Sequence, residues 1–189
     1  NYKNFLKGWH FHEELELVYI IKSTGTRFVG DSIEKFEAGE VVLIGKNVPH
    51  MWLNDEVYFE KNSTLTAQAV SVHFKDNFVG QEFLSLPEMQ PVAQLLKKAA
   101  QGIKFNHIKD NIKNELINLH SHEPALKITR IIELLCKLEQ QQNYTLLSSN
   151  GFINTFHKSE NKRLNIIYEY VYQNFHTQIS SKDVALLVS

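Results

Sequence analysis

The sequence predicts an α+β protein, with a β-rich N-terminal module followed by a helical one. Three observations carry this reading. The first seventy-odd residues fall into short β-branched or alternating runs marked off by glycines, as in a sandwich or small barrel. After about Asn77 the apolar period becomes helical. Hydrophobic residues make up 43% of 189, the normal share for a chain that builds a core.

The β-rich elements follow in order. "LELVYII" is a short apolar run rich in β-branched residues, and "TRFVG" follows it after Ser23-Thr24-Gly25, a hairpin signal. "IEKFEAGEVVLIG" alternates and then turns continuously apolar, with Gly39 and Gly45 as punctuation. "NVPHMWLND" reads as a loop entering a strand. In "TAQAVSVHF", Ala67, Ala69, Ser71 and His73 share one face, and Gln68, Val70, Val72 and Phe74 share the other.

Helical stripes come next. Val92, Leu95, Leu96, Ala99 and Ile103 form the first, with Gly102 placed as a C-cap. Ile108, Ile112, Leu116 and Leu119 form the second, and Ile128, Ile131, Ile132, Leu135 and Leu138 the third. Residues 143–160 read as a polar connector. Leu164, Ile167, Tyr168, Val171 and Phe175 then recur at helical spacing. Ser180 and Asp183 form a capping-box pair, and Ile179 and Val184 have the spacing of a hydrophobic staple around it.

Bulk properties narrow the function. The formal charge is −1, whereas a compact nucleic-acid-binding domain is usually basic. DNA contact must therefore come from a local patch or from sequence beyond this chain. The single cysteine, Cys136, excludes a disulfide framework and a Cys-rich zinc module. That fits a reducing compartment, so a cytoplasmic location is expected. No apolar run approaches the roughly 18 residues of a membrane span, and no signal peptide is visible. The chain opens at Asn1 and stops at Ser189 inside an apolar helical pattern, so both ends read as cut.

The chemistry concentrates in "GWHFHEELE". On a regular strand His10 and His12 point the same way, and Glu16 shares their parity. His50 follows the Pro49 turn. Three imidazoles and a carboxylate make a mixed N/O set suited to a divalent transition metal such as Zn, Fe, Ni or Mn. Two other readings stay open. The histidines line a sugar-sized pocket and bond an organic ligand directly, or they are idle. His73, His107, His120, His122, His157 and His176 read as surface or core residues. Phe28 and Trp52, on barrel strands, are the candidate ligand-binding aromatics. Trp9 and Phe11 alternate with the histidines and are expected to face away into packing.

Here the residues carry a resemblance. A glycine, then His10-x-His12, then Glu16 and a later glycine resemble the first cupin motif. Gly39, Gly45, Asn47, His50 and Asn54 resemble the second, with Gly45 where proline is usual and Asn47 where glycine is usual. The resemblance implies a double-stranded β-helix, or jelly roll, with metal ligands at His10, His12, Glu16 and His50. "RLNIIYEYVYQNF" and "SSKDVALLVS" resemble the start of an AraC/XylS-type DNA-binding domain, which ends here before its recognition helix.

Together these imply three segments. Residues 1–78 are a cupin-like effector domain, 79–160 a helical dimerisation and linker region, and 161–189 the start of a helix-turn-helix domain. The implied function is the effector-sensing part of a bacterial regulator, not an enzyme. It would be homodimeric, with a small-molecule effector (a sugar, by analogy) and with DNA bound only by the full-length protein. The stripes at 92–103 and 124–138 are the expected dimer or interdomain surfaces. The alternative is a metal-dependent cupin enzyme, a dioxygenase or an isomerase.

Overall fold

Strand β1, Leu15–Lys22, organises the fold: six consecutive residues, Leu15 to Ile20, are buried. A continuous apolar run predicts this for a strand covered on both faces. The computed structural model describes residues 4–5, 8–80, 82–155, 166–167, 170–171, 174 and 178–188. Its further strands are β2 (Gly25–Val29), β3 (Ser32–Phe36), β4 (Val41–Ile44), β5 (His50–Asn54), β6 (Gln68–Phe74), β7 (Ile103–Phe105) and β8 (Tyr144–Leu146). Helices α1 (Gln90–Lys98), α2 (Asp110–Asn118), α3 (Pro124–Glu139) and α4 (Asn150–Thr155) come from the second half, and a further helix spans Ser181–Leu187.

The architecture is α+β. All pairings within the two sheets are antiparallel. The larger sheet has the order β6-β1-β4-β7-β8 and the smaller β3-β2-β5. The described strands form these two sheets and not one closed barrel. An isolated bridge from His10 to His50 ties the segment ahead of β1 to the smaller sheet.

Side-chain parity explains the layering. Leu15, Leu17 and Tyr19 of β1 pack with Leu43, Ile103 and Phe105 against the helices. Val18 and Ile20 face the other way and pack with Val42 and Ile44 against Val29, Phe36 and Trp52 of the smaller sheet. The larger sheet is thus the middle of three layers. Val92, Leu95 and Leu96 of α1 and Leu134, Leu135 and Leu138 of α3 are spent on this core. Leu126 and Ile128, near the start of α3, remain exposed.

Two expectations change. The first helical stripe does not run to Ile103. A 3-10 turn at Ala99–Gln101 follows α1, Gly102 takes φ 66°, and Ile103 opens β7. Residues 143–160 are not a plain connector, because Tyr144–Leu146 adds β8 to the larger sheet and α4 follows. Both strands have three residues, too few for an alternating pattern to stand out. The sheet therefore takes strands from both sides of residue 78.

The Ser181–Leu187 helix carries its expected cap. Ser180 Oγ accepts from the Asp183 N–H at 3.2 Å, and the Asp183 carboxylate accepts from the Ser180 N–H. Most of the helix expected over residues 163–175 lies outside the described residues, as do His157 and His176. Among the described residues no helix is long and apolar enough to cross a membrane.

One clamp joins the two halves of the chain. Ser148 Oγ donates to the Val29 carbonyl at 2.9 Å. The Ser149 N–H and hydroxyl both donate to the Asp31 carboxylate. Between them Gly30 sits at φ 57°, where a Cβ would fall 1.8 Å from Ser148 Oγ, so only glycine fits. Partial burial works to raise the Asp31 pKa, but the Ser149 donors outweigh it and hold the carboxyl below its ordinary value. A lowered folded pKa means the clamp stabilises fully above the ordinary carboxylate range and is lost as pH falls through the lowered value. Asp31→Asn is expected to lower the thermal midpoint at pH 7 by no more than about 4 °C. The gap to wild type should close below about pH 4, which melting curves across pH will check.

Candidate metal centre

Glu16 is the one acidic residue in the buried run of β1, 7% exposed. It has the parity of Val18 and Ile20, so it faces the smaller sheet, directly opposite His73 of β6 and Ile44 of β4. A carboxylate in that position needs partners. His50 Nε2 lies 2.8 Å and His12 Nε2 3.3 Å from its Oε2. Ser71 Oγ donates to Oε1, and His73 Nε2 stands 3.4 Å from the same oxygen. Burial raises the Glu16 pKa; His50, Ser71 and His73 together outweigh it and hold the group at about 2.

The turn before β5 delivers His50. Asn47 has φ 58° and donates its N–H to the His12 carbonyl at 2.7 Å. Asparagine tolerates this left-handed conformation, as glycine would. Gly45 donates its N–H to the Ala99 carbonyl at 2.7 Å, and a Cβ there would lie 2.6 Å from that oxygen. Proline, usual at this point of the motif, has no N–H to donate.

His10 and His12 lie ahead of β1 rather than on a regular strand; only His10 pairs, across the bridge to His50. Even so, the four candidate ligands converge. One ligand atom from each of His10, His12, Glu16 and His50 lies within 4.8 Å of the others. The His10 and His50 ring centres are 4.4 Å apart, and those of His12 and His50 5.2 Å.

Backbone contacts set the imidazole tautomers. His10 Nδ1 meets the Gly8 carbonyl at 2.8 Å, His12 Nδ1 the Glu14 carbonyl at 3.0 Å, and His50 Nδ1 the Val48 carbonyl at 2.7 Å. A carbonyl only accepts, so each Nδ1 carries the proton and each Nε2 keeps a lone pair. This is the outer-shell support that metal-binding histidines use. Desolvation on the inner side of His10 lowers its pKa against the opposing bond to Gly8, which keeps the ring neutral near pH 7.

His50 Nε2 is buried and faces Glu16 Oε2 at 2.8 Å. With the Nδ1 proton already on the Val48 carbonyl, this short contact is satisfied by a second proton on the ring or by a metal ion held between the two atoms. Three nitrogens and one oxygen can hold a divalent transition metal; all-oxygen cages suit calcium and magnesium instead.

The other candidates separate. Trp52 is on the inward face of β5 with its ring centre 5.6 Å from that of His50. Phe28 is on the opposite face of β2 from Arg27 and Val29, against the buried Trp9 at 6.5 Å, and does not meet the cluster. Two features escape a sequence reading. His73 joins the cluster through Ser71 Oγ at 2.8 Å and a ring contact of 4.8 Å with His12; the shared face of Ser71 and His73 was its only signal. Arg27 is fully buried, its guanidinium on Glu40 and on Glu34 at 2.7 Å. An arginine in an alternating strand reads as solvent-facing, and nothing local marks it otherwise.

Zinc titration of purified protein is expected to saturate near one ion per chain. His50→Ala, which removes the buried ligand, should abolish that stoichiometry. Ser71→Ala frees Glu16 Oε1 without removing a ligand and should weaken zinc by about 10–100-fold. Competition with a chromophoric chelator measures all three.

Compared with known proteins, the chain matches no family model and no curated protein.

Proposed function

We propose that this chain is the ligand-sensing and dimerisation part of a bacterial, cytoplasmic transcription regulator of AraC/XylS type, built on a cupin-like sandwich. A divalent transition metal, with Zn, Fe, Ni and Mn as candidates, is held by His10, His12, Glu16 and His50. When bound, it supplies a Lewis-acid position for an oxygen of the effector. The chain's own residues fix the tautomers, orient the carboxylate and close the interior to water.

One observation carries the sensing role. The Val29–Asp31 turn is gripped from two sides. The Gly30 N–H donates to the carbonyl of Pro49, the residue before His50. Val29 and Asp31 accept from Ser148 and Ser149, which lead into α4. The ligand-bearing turn and the segment running toward the C-terminal helices thus share three residues. A small molecule that prefers one arrangement of that turn shifts the helices with it. The exposed Leu126 and Ile128 of α3 are the proposed dimer contacts, and DNA is bound by the full-length protein alone.

The second reading is a metal-dependent cupin enzyme, a dioxygenase or an isomerase. It is favoured by the solvent-reaching His10, which leaves one side of the cluster accessible. Hydrogen exchange separates the two. Zinc is expected to slow exchange at Leu147 and Ser149 by about tenfold or more, with Asp31→Asn cancelling the effect at unchanged zinc affinity. Unchanged exchange on zinc binding, together with dioxygen uptake by the iron-loaded chain, would instead sink the regulator reading.

A further inference from the structure

Three polar atoms on the inward face of the smaller sheet are buried without a hydrogen-bond partner: Arg27 Nε, Trp52 Nε1 and His50 Nε2. They are neighbours. Arg27 and Trp52 stand directly opposite each other across β2 and β5, and Val29 and His50 are the next pair of the same face. Arg27 and His50 are 0% exposed and Trp52 8%. Solvent does not reach these atoms, and a buried donor left unmade is costly. The metal centre accounts for His50 Nε2. It leaves two N–H donors, on residues that stand opposite each other on one buried sheet face.

We propose that Arg27 Nε–H and Trp52 Nε1–H bind a small carboxylate inside the sandwich. This rests on the ligand-sensing reading above and names the effector's class. Both atoms are donors only, so their complement is an acceptor that brings no hydrogen of its own. A polyhydroxyl ligand would add O–H groups needing further acceptors. The charge balance agrees. Arg27 holds Glu34 and Glu40, and Lys104 stands 3.4 Å from the other Glu40 oxygen. Two cations offset two carboxylates, so an incoming anion meets a charge-assisted N–H rather than surplus negative charge.

A cleft opens beside the carboxylate that holds Arg27. Glu40 lines a cleft of about 720 Å³ together with Gly25, Phe36 and Lys104. That volume is in the range of small-molecule sites. Gly25 is at the opposite end of β2 from Val29, which pairs with His50. The cleft therefore reaches Glu40, the partner of Arg27, from the end of β2 away from His50, and Arg27 and Trp52 themselves do not line it.

The test is calorimetric titration of the whole chain, zinc-loaded and zinc-free, with acetate, pyruvate and arabinose. Binding of at least one acid is expected. Trp52→Phe keeps a six-membered aromatic ring but removes the pyrrole part of the indole together with its N–H; it should weaken the acid about tenfold. Arg27→Lys keeps the charge and loses the planar fork, and should weaken the acid as well. Acid binding that Trp52→Phe leaves unchanged overturns the assignment. Arabinose binding with neither acid bound overturns the carboxylate class, and so does the failure of both acids at millimolar concentration. Failure of zinc to bind counts against the metal centre alone, because the zinc-free titration still reads the donor pair.

Discussion

Burial of β1 and β4 on both faces is the constraint from which the rest follows. A strand covered on one side only would alternate. These two carry apolar residues at nearly every position because one face meets the helices and the other the smaller sheet. Any polar residue on such a strand enters a dry environment. Glu16 is that residue, and its surroundings are built to keep it ionised: two imidazole nitrogens near one oxygen, a hydroxyl and a third imidazole near the other. The site is therefore part of the layer architecture. It is the one place where the buried runs of β1 and β4 depart from their own hydrophobic rule.

The same constraint explains what the sequence disclosed. Long, well-patterned elements were legible: β1 as a continuous run, β6 by its alternation, and α3 by its stripe. The four candidate ligands were legible as types at a familiar spacing, although His10 and His12 reach the cluster from irregular backbone rather than from a regular strand. Short elements were not legible. β7 and β8 have three residues each, and their strand character comes from a neighbour's edge rather than from their own composition. Ile103 fits a helical stripe and a strand equally well, and only the positive φ at Gly102 separates them.

Arg27 and His73 show the other limit. Inward-facing polar residues carry no local mark in an alternating pattern, because the pattern gives two faces without saying which is wet. Register decides it. Pairing Val29 with His50 puts Arg27 inside, and pairing Glu16 with His73 brings the fourth histidine to the cluster. The aromatic pair divides for the same reason. Trp52 and Phe28 both lie on strands of the smaller sheet, yet they face opposite ways, so one meets the histidines and the other meets Trp9.

The buried charges inside the sandwich are a poor way to hold it together. Taking an arginine and a glutamate out of water costs several kcal/mol per ion, and their mutual attraction often no more than repays it. Well-packed apolar residues on those strands would serve stability as well. What Arg27, Glu40 and Glu16 supply instead is fixed polarity in a dry space. One end can hold a cation against a carboxylate. The middle offers two N–H donors, one of them on a guanidinium held by its own salt bridges. Such preorganised groups bind with little reorganisation, because the cost of placing them has already been met in folding. The Val29–Asp31 turn runs between the ligand-bearing loop and the Ser148–Ser149 clamp, so whatever fills that space acts on a segment the C-terminal half also holds. Rigidity inside and a shared turn at the rim are what the proposed sensing role draws on. Neither is needed by a sandwich that only has to fold.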